Sequence, residues 1–311
     1  MDFDKRTTAI FEAPISPLNW NSLLRECEAI EKDNSYFPTG FLWVLAYKRY
    51  QIEIARSNLG RAKRHLKAAI GLVPYMLDLV REYKALHIQD AAAFKYIALI
   101  ITCKKYEDKA LGLAKQFDAC NMEYALVTGS DTDPIDHPRA IQVDAPDNYE
   151  SLPSKVFAAC TWVYENIGSN VGILKINDDM SIESPAKLQG LLDQFLAKEI
   201  EYAGRPIAVG TEHDRCWHWN KCQDAALNAR VYGRPFYRPW AGGAAYFIGP
   251  TALEKLIISM IRFPAQVDGE YYEDKLVGDL LMFEGIPLHP IEDFEDMGLS
   301  STIEREDRHE L

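Results

Sequence analysis

Two adjacent carboxylates follow a short apolar run in the middle of the chain. The run 171–174 is closely followed by Asn177, Asp178 and Asp179. Adjacent carboxylates repel each other and need a cation or a basic neighbour to stay ionised together. A divalent ion held by carboxylate oxygens and by the phosphates of a nucleotide would meet that need. The same residues would also suit a helix N-cap, so the spacing alone leaves both interpretations open.

Two further segments place acidic or basic side chains at the start of a helical pattern. Glu273-Asp274 opens one such pattern, where a carboxylate acts either as a general base or as a favourable charge at the helix N-terminus. Asp147 lies shortly before a second helix start, and Lys155 falls within its first turn. That lysine either reaches a phosphate or is solvated.

Aromatic and glycine residues form a third candidate segment. Gly242 and Gly243 directly follow the Trp240-Ala241 pair, and glycine allows a backbone to approach a ligand closely. Trp240, Trp217 and Trp219 could together form a platform for an acceptor sugar. Ordinary packing, with a bend before a buried strand, explains the same residues equally well.

An alternation of predicted strands and helices begins near residue 94 and positions these segments. It favours an α/β layer fold with a mostly parallel sheet, in which ligands bind beyond the carboxyl ends of the strands. The predicted strands are Tyr96–Thr102, Glu123–Thr128, Ala140–Val143, Val171–Ile176, Pro206–Gly210 and Ala244–Ile248. The predicted helices are Glu107–Ala119, Pro153–Ile167, Thr251–Ile261 and Glu273–Phe283.

The residues before this alternation show only helical spacing. We therefore predict a small helical domain over 1–91, an α/β domain over 92–302 and a charged tail over 303–311. One helix of the first domain carries basic residues from Arg61 to Lys67. A solvated face is the more common explanation of such a pattern, and contact with anionic lipid is the alternative.

Composition excludes some classes of function. The formal net charge of −12 argues against a protein that binds nucleic acid non-specifically, because such binding needs a basic face. The chain has no apolar run long enough to span a membrane and no apolar stretch behind a basic N-terminus, so we expect neither a transmembrane helix nor a secretory signal. The six cysteines are scattered, as in a cytoplasmic protein with reduced thiols. Such a protein could still contact the inner face of the membrane peripherally.

One cluster of metal-binding residue types stands apart. His213, Cys216, His218 and Cys222 form an H-x2-C-x-H-x3-C pattern. The spacing matches no common zinc finger. A loop that contacts the acceptor is therefore the favoured interpretation over a zinc site.

Five elements, in collinear order over about residues 94 to 300, resemble the β-1,3-glycosyltransferase family, which includes β-1,3-galactosyltransferases and Fringe-type transferases. The family's "lKtDDDvfv" element resembles residues 174–182, with the acidic group discussed above. The other matching elements are "D..DsY.NLtlKt" with Asp147, Tyr149, Leu152 and Lys155, "sGggYvls" with residues 241–249, "EDVyvG" with Glu273–Gly278, and a late histidine with His289.

The resemblance implies a GT-A fold and an inverting transfer of a hexose or N-acetylhexosamine from a UDP-sugar, with Mn2+ or Mg2+ as the cofactor. Galactose and a β-1,3 linkage are favoured, and the acceptor would be a glycan or a lipid-linked glycan. Carried over by position, Asp179 and His289 would bind the metal, and Asp274 would be the catalytic base. The implied donor-binding residues are Asp147, Lys155, Asp178, Gly242, Gly243 and Glu273.

This chain departs from the family in three ways. Asn177 stands where the family's first aspartate is expected, we expect neither the anchor nor the disulfides of the animal enzymes, and the helical N-terminal domain is not part of the family core. Asn177 leaves open a rival hypothesis, in which a degenerate transferase domain serves as a binding or scaffold protein. A nucleotidyltransferase with the same paired acids is a third hypothesis, but it explains Gly242-Gly243 and Glu273-Asp274 less well.

Overall fold

A computed structural model describes residues 3–32, 41–87, 93–207, 221–229, 232–233, 239–267 and 270–302. Its contacts divide the chain into two compact units. The first unit contains Met1–His87 and Ile258–Gln266, and the second contains Ile88–Ile257 and Val267–Leu311. The predicted boundary at residue 91 and the predicted tail 303–311 lie outside the described residues, so both stay predictions.

The first unit is helical because its apolar residues recur at helical spacing. Ala62, Leu66 and Ile70 share one face of a helix and are fully or almost fully buried. Asn58 caps that helix by accepting a hydrogen bond from the Arg61 backbone N at 3.3 Å. The described helices are α1 (Phe3–Glu12), α2 (Trp20–Lys32), α3 (Leu42–Ala55), α4 (Leu59–Leu72) and α5 (Leu77–Ala85).

The second unit is built on a seven-stranded sheet with strand order β3-β2-β1-β4-β7-β6-β8. Its strands are β1 (Tyr96–Ile101), β2 (Tyr124–Gly129), β3 (Ala140–Val143), β4 (Gly172–Asn177), β6 (Tyr202–Ile207), β7 (Trp240–Ile248) and β8 (His289–Pro290). β1 pairs in parallel with both β2 and β4, and β7 runs antiparallel between β4 and β6. The central strands are buried on both faces, which explains their continuous apolar sequences.

Helices cover both faces of the sheet. The described helices of this unit are α6 (Glu107–Ala119), α7 (Leu152–Asn166), α8 (Pro185–Ala197), α9 (Ala225–Ala229), α10 (Pro250–Arg262), whose end from Ile258 belongs to the first unit, and α11 (Glu273–Phe283). α6 and α8 bury their apolar faces against β1, β4 and β7, whereas α7 and α11 contact each other as well as sheet strands. A separate two-stranded ribbon pairs β5 (Met180–Ile182) with β9 (Leu299–Ser301).

The structure confirms the predicted architecture, a mixed and mostly parallel GT-A-type sheet flanked by helices and preceded by a helical region. Some details differ from the prediction. The strand predicted at Pro206–Gly210 begins earlier, at Tyr202, and its predicted end lies outside the described residues. The helices α1, α8 and α9 and the strands β5, β8 and β9 have no predicted counterpart. None of the described helices combines the length and the apolar composition needed to cross a membrane.

Candidate active site

The acidic segment lies in a tight turn at the carboxyl end of β4. Asn177 ends the strand, and Asp178 and Asp179 form the turn that leads into β5. Thr302, the residue after β9, fixes this turn, because its backbone N and its Oγ1 both donate hydrogen bonds to the Asp179 backbone oxygen at 2.8 Å. The turn therefore lies where ligands bind in open α/β sheets.

The two aspartates of this turn have different surroundings. Asp178 Oδ2 accepts a hydrogen bond from Thr102 Oγ1 at 2.6 Å. Burial, with a smaller contribution from the adjacent Asp179 charge, raises the pKa of Asp178 to about 6, although the Thr102 bond opposes the shift. Asp179 Oδ1 is buried and accepts no hydrogen bond from the described residues. A buried carboxylate oxygen without a donor is costly unless a cation completes its environment.

These two side chains fit a divalent cation, although the described residues contain no ready group of three or more His, Cys, Asp or Glu ligands. Mg2+ and similar ions are commonly held by one or two carboxylates together with substrate phosphates. Asp179 offers the free oxygen, and Asp178 lies beside it. The turn thus offers a divalent cation one free carboxylate oxygen with a second carboxylate beside it.

His289 does not lie near this turn, which corrects its prediction as a second metal ligand. It lies on β8, opposite Ala203 of β6, and its ring contacts Phe195 with a centroid distance of 6.0 Å. β8 is three strands away from β4, about 14 Å at usual strand spacing. His289 is also level with Leu174 in the sheet register, well before the end of β4. A metal–ligand distance is only about 2–2.6 Å.

Asp147 and Lys155 bind each other rather than facing an open donor site. Their side chains form a buried ion pair, and Lys155 Nζ also donates to the Thr102 backbone oxygen at 3.0 Å. Asp147 accepts hydrogen bonds from the backbone N of Gly129 at 2.9 Å and of Lys104 at 3.1 Å. These contacts lower the pKa of Asp147 although burial acts in the opposite direction. The pair ties the ends of β1 and β2 to α7, so its geometry favours a positioning role over a phosphate contact.

Lys175 connects β4, β7 and α11 from within the protein, a role that the sequence did not reveal. Its buried Nζ donates to Asn177 Oδ1 at 2.7 Å and to the Gly243 backbone oxygen. It also forms an ion pair with Glu273 Oε1 at 3.0 Å. The Tyr246 hydroxyl donates to Glu273 Oε2 at 2.8 Å. Glu273 is therefore held inside the protein by two partners, which argues for support of the site rather than direct donor contact.

Asp274, the predicted base, lies in the first turn of α11 and is partly buried. Its Oδ2 accepts a hydrogen bond from the Gly243 backbone N at 2.9 Å, and its Oδ1 accepts one from the Lys275 backbone N at 2.8 Å. Burial, with a smaller contribution from the neighbouring Glu273 charge, raises the pKa of Asp274 to about 6. The carboxyl group is thus ionised at neutral pH but close to the pH at which it gains a proton.

The glycines and the tryptophan of β7 are explained by packing within the protein. A Cβ atom at Gly243 would lie 3.2 Å from Glu273 Oε1 and 3.3 Å from Asp274 Oδ2, and one at Gly242 would lie 3.1 Å from Ile207 Cδ1. Trp240 is buried, so it does not form the exposed platform predicted for an acceptor. Gly243 therefore lets β7 approach Glu273 and Asp274 closely.

Several predicted residues cannot be placed. Trp217, Trp219, His213, Cys216 and His218 lie outside the described residues. Cys222, the remaining member of the predicted zinc cluster, is buried in the described part of the chain. The zinc and acceptor-loop predictions for this segment therefore stay predictions.

Lys221 is a cation at the site that sequence reasoning missed. Its Nζ lies 5.7 Å from the centroid of the Tyr149 ring, and its charge interacts with that of Asp179. Glu150 holds the following residues by accepting hydrogen bonds from the backbone N of Gln223 at 3.2 Å and of Asp224 at 3.0 Å. No motif identified this lysine, because its position depends on contacts between segments more than 70 residues apart.

Comparison with known proteins accounts for this arrangement. A family model described as Galactosyltransferase matches residues 135–292, just over half of the chain. The matched span includes Asp147, the Asp178-Asp179 turn and Asp274. None of the curated proteins compared with the chain matches it. The match disfavours the nucleotidyltransferase hypothesis: the chain is a glycosyltransferase and belongs to the galactosyltransferase family.

Proposed function

We propose that this glycosyltransferase moves a hexose or N-acetylhexosamine, with galactose favoured, from a UDP-sugar to a hydroxyl of a glycan or lipid-linked glycan acceptor. The proposal includes Mn2+ or Mg2+ as the cofactor, inversion at the anomeric carbon and a β-1,3 linkage. The observation that carries it is the buried, unpartnered Oδ1 of Asp179 beside Asp178, in a turn at the carboxyl end of β4. We propose that the reaction takes place at the cytoplasmic face of a membrane.

Asp274 is the base in this proposal. In a single displacement the acceptor oxygen forms a bond to the anomeric carbon while the bond to the diphosphate oxygen breaks, and the hydroxyl proton passes to the carboxylate. A pKa of about 6 suits that task, because the group is ionised at neutral pH and still a useful proton acceptor. Its two backbone hydrogen bonds hold the carboxylate in place before the acceptor arrives.

Negative charge on the departing diphosphate needs nearby positive charge. The divalent cation, when bound, would supply part of it at Asp179. Lys221 is placed to supply more, since its charge interacts with that of Asp179. The lysine would also orient the diphosphate toward the turn between β4 and β5.

Calorimetry with UDP in the presence and absence of Mn2+ tests the donor and the metal. We expect Mn2+-dependent UDP binding in the native protein and at least a tenfold loss in Asp179→Ala. Asp193→Ala is the matched control, because Asp193 is exposed on the same unit and contacts Lys95 at 3.3 Å. Binding of UDP that is unchanged in Asp179→Ala, or no binding of UDP at all, would refute the proposal.

A second experiment addresses the sugar and the linkage. A thermal-shift screen of UDP-sugars with Mn2+ should select one donor, which is then incubated with a panel of glycan acceptors. NMR of the product reads the anomeric configuration and the linked position directly. A product with retained anomeric configuration would exclude the single displacement by Asp274.

A further inference from the structure

Charge is distributed very unevenly along this chain. Residues 1–87 contain 13 Lys and Arg against 10 Asp and Glu, a net charge of +3. Residues 88–311 contain 21 Lys and Arg against 36 Asp and Glu, a net charge of −15. Residues 1–87 are therefore basic, whereas the rest of the chain is strongly acidic. Only the basic part would be attracted to an anionic surface.

Exposed apolar side chains are concentrated in the same part of the chain. Of the ten large hydrophobic side chains that are exposed among the described residues, eight lie between Phe11 and Leu77. Three of these surround the turn between α4 and α5: Leu72, Tyr75 and Leu77 are 38%, 79% and 52% exposed. The turn sequence, Leu72-Val73-Pro74-Tyr75-Met76-Leu77, has no charged residue. Clustered exposed apolar residues usually mark a contact surface.

Cations lie along the helix that leads to this apolar turn and at the turn itself. Arg61, Arg64 and Leu72 are exposed at helical spacing on α4, which places two guanidinium groups on the row that leads to the turn. Arg262 Nε donates to the Pro74 backbone oxygen at 2.7 Å, so a third arginine lies at the turn itself. Asp78, which follows Leu77, pairs with Arg81 at 2.7 Å, so the pair adds no net charge.

We propose that Leu72, Tyr75 and Leu77, together with Arg61 and Arg64, form a docking surface for an anionic lipid bilayer. Apolar side chains at a helix turn can enter the acyl boundary while arginines remain at the level of the headgroups. Each basic residue near an anionic surface strengthens binding about fivefold. If the basic face of α4 were only solvated, the exposed apolar residues of the turn would be unexplained. If the turn were only an interface with another protein, the arginines on α4 would be unexplained. The inference does not depend on the donor or the metal.

Sedimentation of the full chain with vesicles tests the proposal. We expect binding to vesicles of phosphatidylcholine with about one third phosphatidylglycerol and much weaker binding to phosphatidylcholine alone. Arg61→Gln/Arg64→Gln should weaken binding about 25-fold, from two fivefold contributions. Tyr75→Ser/Leu77→Ser should weaken it at least tenfold. Phe283→Ser is the matched apolar control, because Phe283 is 71% exposed on the other unit.

Four outcomes would overturn the docking surface. They are no sedimentation with anionic vesicles, equal sedimentation with neutral vesicles, unchanged binding in either double variant, and an equal loss in Phe283→Ser. Light scattering tests whether a second copy of the chain covers the turn instead. A native dimer that becomes a monomer in Tyr75→Ser/Leu77→Ser would show that it does, and would also overturn the proposal. Circular dichroism and UDP calorimetry on the same variants show that the fold and the donor site are intact, so failure here is distinct from failure of the proposed transfer.

Discussion

Asp274→Asn keeps the shape of the side chain but removes its charge and its capacity to accept a proton. In the native protein each carboxylate oxygen accepts one backbone N–H, from Gly243 and from Lys275. Asparagine has one acceptor oxygen, so one of these N–H groups loses its partner. We expect transfer to fall by a factor of 10² or more, while Mn2+-dependent UDP binding is retained.

The effect on stability depends on pH in a way that the structure specifies. Burial raises the pKa of Asp274 from 3.8 to about 6, which corresponds to roughly 3 kcal/mol. Because the folded pKa is raised, the protonated carboxyl stabilises the fold below about pH 4, and this contribution is lost as the pH rises through 6. The lost hydrogen bond costs the variant about 1–3 kcal/mol at every pH. We therefore expect the variant to be less stable than the native protein near pH 4 and about equally stable near pH 8.

Two assays separate these effects. Urea unfolding at pH 4.5 and pH 8 measures the free energy of unfolding of both proteins. The rate of UDP formation between pH 5 and 8.5 gives kcat/KM, which should fall with decreasing pH below about 6 in the native enzyme. In the variant this acidic limb should become shallower but not vanish, because Asp178 has a pKa of about 6 as well. Asp279→Asn is the control, since Asp279 lies on the same helix, is more exposed and pairs with Lys275 at 2.7 Å.

The base assignment would be wrong if Asp274→Asn retained transfer within about threefold of the native rate. It would also be wrong if the acidic limb persisted unchanged in the variant. A stability difference that does not vary between pH 4.5 and pH 8 would show that the carboxyl is not buried enough to shift its pKa.

Three further variants test other parts of the site. Asp179→Ala should leave the free energy of unfolding without metal unchanged or higher, because it removes an unpartnered buried oxygen; urea unfolding without Mn2+ measures this. Lys175→Met should lower the free energy of unfolding by about 3–5 kcal/mol, since it leaves Glu273 buried without its cation, and a smaller loss in the Lys175→Met/Glu273→Leu double variant would confirm the cause. Lys221→Gln should lower the transfer rate, measured as UDP formed, about 10- to 100-fold with unchanged thermal unfolding. Lys187 is an exposed lysine on α8, so Lys187→Gln should leave that rate unchanged.

The elements that the sequence predicted best are those defined by local patterns. α6 and α11 have the predicted bounds, because their apolar spacing and their acidic first turns are contained within the helices themselves. Strand direction is not visible in an apolar run, so the antiparallel placement of β7 between β4 and β6 could not be predicted. α8 was missed although Ser184 before Pro185 is a good start signal, and the Ser184 side chain does accept a bond from Lys187 N.

The candidate site was predictable to the extent that its residues lie within short motifs. Asp178, Asp179 and Asp274 follow directly from such motifs, and the structure places them at the carboxyl end of β4 and beside β7. His289 was misassigned because its position is set by pairing between β6 and β8, which sequence order does not reveal. Lys175 was overlooked because its partners Gly243 and Glu273 lie 68 and 98 residues further along the chain.

The departure at Asn177 is explained by charge within the buried network rather than by the metal. Lys175 is a single buried cation, and Glu273 already balances it at 3.0 Å. The Asn177 side chain accepts a 2.7 Å hydrogen bond from the same ammonium without adding charge. A carboxylate at that position would share one cation with Glu273 beside Asp178, whose pKa is already raised to about 6. Asparagine thus preserves the hydrogen bond that orders the end of β4 and leaves the unpartnered oxygen of Asp179 as the atom to which a cation would bind.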